Sequence, residues 1–405
     1  MNSLNVLRLS FALCMITSAV NLQAPLYDAL AVKEGLGVGA TTVAFACYVA
    51  GILPVLLGLS GLADRIGRRP LIMAALCLCL VATSLTLVAP GLITLGIARF
   101  LMGIGTALTS AVAPTYMLEL YKGKDHWVPT NWVTASTSLG FGLGAAATSL
   151  FVLQAPSLTP PSHGLYLGAG SLALLLLLGL QDNASRHKDT AMLRLPAYPA
   201  GSMPFAMPIL LAWATVGLVI AILPSALAPH GLAAWSGFAT FGICSCGVLF
   251  QPLARKLSPS TSTQLGLVIL PLAYALITWG ALKGVLTAVL LGTMAASSAC
   301  YGFVYLGGLS GVLDVAGPSK TRASAGFFLM AYIGFSLPVI VTGEFVDLLG
   351  HTVALTSFGG ALVIGCIGVS MSFRLQKKCC KVSVAYVRLT VSHVCIIIAY
   401  CFRFG

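Results

Sequence analysis

The chain has 405 residues and a formal net charge of +12, and 58% of its residues are hydrophobic while 8% are charged. Soluble proteins average about 25% charged residues, so a soluble globular fold is excluded and lipid must be the solvent for most of the chain. In a soluble protein the positive charge would suggest nucleic acid. Here it requires no such partner, because the cations collect in loops.

A helical span needs about 20 apolar residues, and the apolar runs predict twelve. Span 1 covers residues 6–24, with Arg8 near its start. Leu9–Val20 also has the length of a signal-peptide core, but its removal would scramble the charge alternation described below. Spans 2 to 6 are predicted at Thr42–Leu57, Leu71–Ala89, Leu92–Leu118, Trp132–Leu153 and Leu165–Leu180. The longest polar stretch follows, QDNASRHKDTAMLRLPAYPAGSMP. Spans 7 to 12 are predicted at Phe205–Leu223, Ala234–Leu253, Leu265–Leu282, Val285–Leu309, Ala323–Gly343 and Val353–Phe373. The predicted organisation is a six-helix half over 1–180, a cytoplasmic linker over 181–204, and a second half over 205–373. Residues 374–405 form a tail, cytoplasmic or at the membrane surface, whose apolar run is broken by Arg388 and His393. No function is assigned to it.

With the N-terminus inside, the inner segments hold Arg8, Arg65, Arg68, Arg69, Lys122, Lys124, Arg186, Lys188, Arg194, Arg255, Lys256, Lys320, Arg322, Arg374, Lys377, Lys378 and Lys381. The outer loops hold Lys33 and Lys283 alone. Seventeen against two is a strong positive-inside bias. It predicts an even span count and both termini cytoplasmic; the expected location is a bacterial-type cytoplasmic membrane, crossed many times.

The stretch Gly58–Pro70, GLSGLADRIGRRP, concentrates this charge between two spans. It resembles the signature loop between spans 2 and 3 of the major facilitator superfamily, through Gly61, Leu62, Asp64, Arg65, Gly67, Arg68 and Arg69. A second string, LGIARFLMGIGTAL in span 4, resembles that family's R-x-x-x-G-x-G motif through Arg99, Gly103 and Gly105. The resemblance covers residues 1 to about 375. It implies an all-α polytopic fold of two pseudo-symmetric six-helix halves around a central cavity, and a secondary transporter working by alternating access. An offset of 191 residues lays PLARKLSPS over GLADRIGRR, and Glu119 falls near Asp314, as a decayed internal repeat would.

The resemblance also implies roles. Asp64 would brace against the helix start near Ala323, Arg65 or Arg68 would meet Glu119, and Gly61, Gly67 and Arg69 would shape the same latch. Arg99 would serve coupling or substrate anion binding; a cation inside a span is costly unless paired or hydrated. Snorkelling to the interface is the competing explanation. Asp28, just past span 1, is a candidate partner for Arg99. Candidate cavity groups are Asn21, Gln23, Ser136, Thr137, Tyr301 and Tyr305, the two tyrosines lying one helical turn apart. Gly140, Gly142 and Gly144 make a small-residue face on span 5, and Pro338 is a predicted kink in span 11.

No carboxylate occupies the middle of a predicted span, so proton coupling rests on the resemblance alone and facilitated diffusion stays open. Cysteines and histidines form no metal-ligand pattern, and no nucleotide loop, nucleophile elbow or metalloprotease helix occurs. No enzyme activity, metal or cofactor is expected. The expected partners are a small-molecule substrate, the bilayer and, where coupling exists, protons, with the protein acting as a monomer. Uptake and efflux are equally compatible. A membrane sensor or scaffold that keeps the fold is the alternative function.

Overall fold

The computed structural model describes residues 2–58, 62–121, 123, 127–181 and 195–401, without the side chains of 2–3, 63–64, 127 and 374–401. All regular structure among the described residues is helical. In a bilayer a spanning segment must satisfy its own backbone, and helices do so within one segment.

Before the linker run α1 (Asn2–Asn21), α2 (Tyr27–Glu34), α3 (Val38–Gly58), α4 (Leu62–Ile66), α5 (Arg68–Val88), α6 (Leu92–Leu120), α7 (Trp127–Gln154) and α8 (Ser162–Leu178). After it run α9 (Met203–Ala221), α10 (Leu223–Leu227), α11 (Ser236–Ser245), α12 (Gln251–Ala254), α13 (Pro259–Lys283), α14 (Leu286–Ser297), α15 (Tyr305–Val315) and α16 (Lys320–Cys401). A π-helical turn, Ser298–Val304, joins α14 to α15.

Ten helical stretches are long and apolar enough to cross a membrane. One of them, Gly317–Phe373, is two limbs joined at Gly350, and Ser162–Leu178 is a shorter apolar helix of 17 residues. Splitting the first and counting the second gives twelve apolar helical segments among the described residues. The predicted span 1 is extended: a bend at residues 22–26 leads into α2, and the apolar stretch reaches Glu34.

Spans 11 and 12 differ most from expectation. Glu344, Asp347 and His351 suggest a loop, yet the helix continues through them and breaks at Gly350 alone, at φ 80° and ψ 163°. A side chain would strain that backbone, which glycine adopts freely. The break is therefore not at Pro338, where the chain keeps helical angles. The backbone of the tail stays helical as far as Cys401.

The small-residue face of α7 is a packing device. A Cβ on Gly140 or Gly144 would strike the backbone of α1 at Cys14 or Ser18, and one on Gly142 would strike Phe241 and Ser245 of α11. The first two pack α7 on α1 within the first half of the chain, and the approach at Gly142 sets α7 against the second half. The eight described cysteines are all free.

Candidate functional site

The basic loops gather at one end of the molecule. Arg68 forms an ion pair with Glu119 at the last turn of α6. Arg69 Nη1 donates to the Leu180 carbonyl at 3.0 Å, and Arg255 Nη1 donates to Asn131 Oδ1 at 3.1 Å, which joins the two halves of the chain. Gly67 precedes α5 with φ 101°, a left-handed value that a side chain resists. Arg65 is exposed. Gly61 and the side chain of Asp64 lie outside the described residues.

Arg99 lies deep between helices. Its side chain is 0% exposed, which rules out snorkelling to an interface. Phe45 and Tyr48, three residues apart on α3, place their rings over the guanidinium at 4.5 and 4.8 Å. Nη1 donates to the Val20 carbonyl at 2.5 Å and Nε to the Phe45 carbonyl at 3.4 Å. Nη2 is buried without a partner. Close approach of α3 and α6 makes this arrangement possible: a Cβ on Gly51 would meet the Phe100 carbonyl, and one on Gly103 the Tyr48 carbonyl.

The cage is closed from the other half of the chain. Phe335 of α16 packs on Phe45 at a centroid distance of 4.8 Å and on Tyr48 at 6.0 Å. It also touches Trp213 of α9 at 5.8 Å.

At the end opposite the basic loops, α3 and α16 are joined again. Asp347 accepts hydrogen bonds from the backbone N–H groups of Val38 and Gly39, both at 2.8 Å. A carboxylate at a helix N-terminus meets unpaired donors and a favourable dipole. Glu344 approaches the same turn, where a Cβ on Gly37 or Gly39 would strike a carboxylate. Glu34 does the same service within the first half, accepting from the Leu92 N–H at 2.9 Å.

The sequence matches the description of the Major Facilitator Superfamily over residues 9–337. The chain belongs to the major facilitator superfamily. Among curated relatives, it is 27% identical to the sialic acid transporter NanX of Escherichia coli (strain K12) over 164 residues, 39% of this chain and 38% of that one. It is 28% identical to an uncharacterized transporter of Rickettsia bellii (strain RML369-C) over 111 residues, 26% of this chain and 28% of the other. The chain thus spans well under half the length of the curated relatives it matches. Among solved structures, a mutant of the nucleoside transporter NupG superposes with a TM-score of 0.76 at 13% identity, covering 91% of this chain and 100% of that one. A peptide transporter, POT, in complex with sulfate gives 0.70 at 15% identity, covering 90% and 93%. At such identities the likeness is one of fold. Family and neighbours are transporters, not enzymes.

The superfamily fold brings some predicted residues together and separates others. Asp28 does not reach Arg99; its charged neighbour is His351, which also lies within electrostatic range of Asp347. Arg99 is held by two carbonyls and two rings instead, with Nη2 left unpartnered. Asn21, 2% exposed, donates to the Phe141 carbonyl at 2.9 Å and leaves Oδ1 unpartnered. Gln23 reaches Thr86 Oγ1 at 3.4 Å. Ser136 and Thr137 return their hydroxyls to carbonyls of their own helix and present no free donor. Tyr301 sits in the π-helical turn against Trp213 at 6.3 Å. Tyr305 faces Phe327 and Phe328, both at 6.3 Å. Sequence reasoning missed Phe45, Tyr48, Trp213, Phe335 and Asp347. The three-residue spacing of Phe45 and Tyr48 on one helix face was the available signal. Among the described residues no group of three or more His, Cys, Asp or Glu is placed to hold a metal.

Proposed function

We propose that this chain is a secondary transporter that moves a small solute across the cytoplasmic membrane of a bacterial-type cell by alternating access. It acts as a monomer without a cofactor. Residues 1–180 and 205–373 are the two moving bodies, 181–204 is their linker, and both termini face the cytoplasm with the basic loops. Arg99 is the central charged group; Arg68 and Glu119, with Asp64, Arg65, Arg69, Gly61 and Gly67, form the inner latch, and Asp347 forms the outer one.

One observation carries this reading. Phe335, from the second half, covers the same rings that cage Arg99 in the first. A movement that separates the two halves would lift Phe335 off those rings and open the outside of the cage, coupling the gate to the surroundings of Arg99. A ligand that prefers one arrangement shifts the population by its differential affinity. With no carboxylate in mid-span, facilitated diffusion needs no further group, whereas proton coupling would have to use the carboxylates at the ends of the helices.

The test is flux in proteoliposomes, with a pH-sensitive dye inside and a panel of radiolabelled sugars, organic acids, nucleosides and peptides. Entry of one class down its gradient, lost in Arg99→Ala at equal expression, supports the proposal. A dye response that accompanies it identifies proton coupling. Full transport in both Arg99→Ala and Asp64→Asn would remove the residue assignments, and no flux for any compound would favour a sensor or scaffold.

A further inference from the structure

An aromatic cluster links α3, α9, α16 and the π-helical turn, and three buried polar atoms on it or beside it have no partner. Trp213 stands at the middle, with Tyr332 edge-on at 5.4 Å, Phe335 at 5.8 Å and Tyr301 at 6.3 Å. Phe335 continues the cluster to Phe45 and Tyr48 over Arg99. The Cys244 thiol bridges the two sides, in contact with the Tyr301 hydroxyl and 3.9 Å from Asn21 Nδ2.

Buried polar groups are normally paired, and each exception calls for an explanation. Here Arg99 Nη2, Trp213 Nε1 and Asn21 Oδ1 are buried without partners. Two of the three are donors, and one belongs to a cation that no described carboxylate pairs with. The locus thus lacks acceptors and one negative charge. Its remaining wall is π-surface, which takes the apolar face of a ring at about 4.5–7 Å between centroids.

Resting on the transporter reading above, we infer that the substrate is a ring-bearing monocarboxylate. Its carboxylate takes the unpartnered Nη2 of Arg99 and its ring lies among Trp213, Tyr301 and Phe335. An oxygen acceptor on the ring serves Trp213 Nε1, and a hydroxyl donor serves Asn21 Oδ1. A guanidinium N–H and a carboxylate oxygen make a charge-assisted hydrogen bond, stronger than a neutral one. A dianion would bring a second charge with no cation to meet it, and an open-chain acid would leave the rings unfilled.

The test is equilibrium binding by calorimetry to the full chain in nanodiscs, with glucuronate and benzoate as ring carboxylates, glucose as the uncharged ring and lactate as the open-chain acid. At least one ring carboxylate should bind ten-fold or more tightly than both glucose and lactate. Arg99→Lys, which keeps the charge, should cut that affinity by more than ten-fold while keeping some preference over glucose. Trp213→Leu should lose the preference over lactate. Equal binding of glucose or lactate, or no binding of any probe, would overturn the inference. Flux of some other compound with no ring-carboxylate binding would overturn it and leave the transporter reading standing. Ring-carboxylate binding without flux would uphold the binding site and sink the transporter reading.

Discussion

Asp347 caps the N-terminus of a helix from the other half of the chain, holding the N–H groups of Val38 and Gly39 at 2.8 Å. In the proposed transport cycle the contact crosses the boundary that has to open. A charged cap of this kind contributes about 1 kcal/mol, enough to change a two-state ratio several-fold. Asp347→Ala should raise the labelling rate of a cysteine placed at Thr42, beside Gly343, by a membrane-impermeant maleimide. An unchanged rate would mean that the cap does not hold the halves together.

The ion pair of Arg68 and Glu119 should matter less to stability than to rate. Its side chains are 18% and 35% exposed, and pairs of that kind contribute about 0–1 kcal/mol. Glu119→Gln should therefore leave the melting temperature within about two degrees and alter flux several-fold. The double exchange Arg68→Glu with Glu119→Arg should restore part of the flux. No restoration would indicate that each charge acts on a different partner.

Arg99 depends on its cage. Cation–π contact in a desolvated site contributes about 2 kcal/mol, so Tyr48→Leu should lower the melting temperature in detergent by several degrees. Tyr48→Phe keeps the ring and should be close to neutral. A Tyr48→Phe variant as unstable as Tyr48→Leu would assign the effect to the hydroxyl.

Gly103 should tolerate no larger residue. A side chain there meets the Tyr48 carbonyl, and overpacking costs about 1–3 kcal/mol. Gly103→Val should destabilise the protein and, by displacing Tyr48, weaken substrate binding together with it. Stability lost at unchanged affinity would show that the cage adapts.

Much of this was readable from the chain because it is one-dimensional. Apolar length and loop charge need no tertiary contact, so the helices and the loop at Gly58–Pro70 could be found from order alone. The surroundings of Arg99 could not. Phe45 and Tyr48 are ordinary apolar members of span 2 until α6 approaches α3 through Gly51 and Gly103. Asp28 looked like a partner for Arg99 because both lie towards the same end. The bend at residues 22–26 carries it to His351 instead. The polar residues Glu344, Asp347 and His351 read as a loop, and only their contacts show why a helix suits them better: it aims Asp347 at the start of α3.

The single-residue break at Gly350 gives the last two membrane crossings almost no slack. A loop of several residues absorbs displacement; one glycine between two continuous helices transmits it. Asp347 on one side of that corner and His351 on the other then turn like the arms of a bell crank. Because His351 is tied to Ser225 of α10 at 3.0 Å, a pull on α3 reaches α10 by the route of Asp347, the corner and His351, without passing through the centre of the protein.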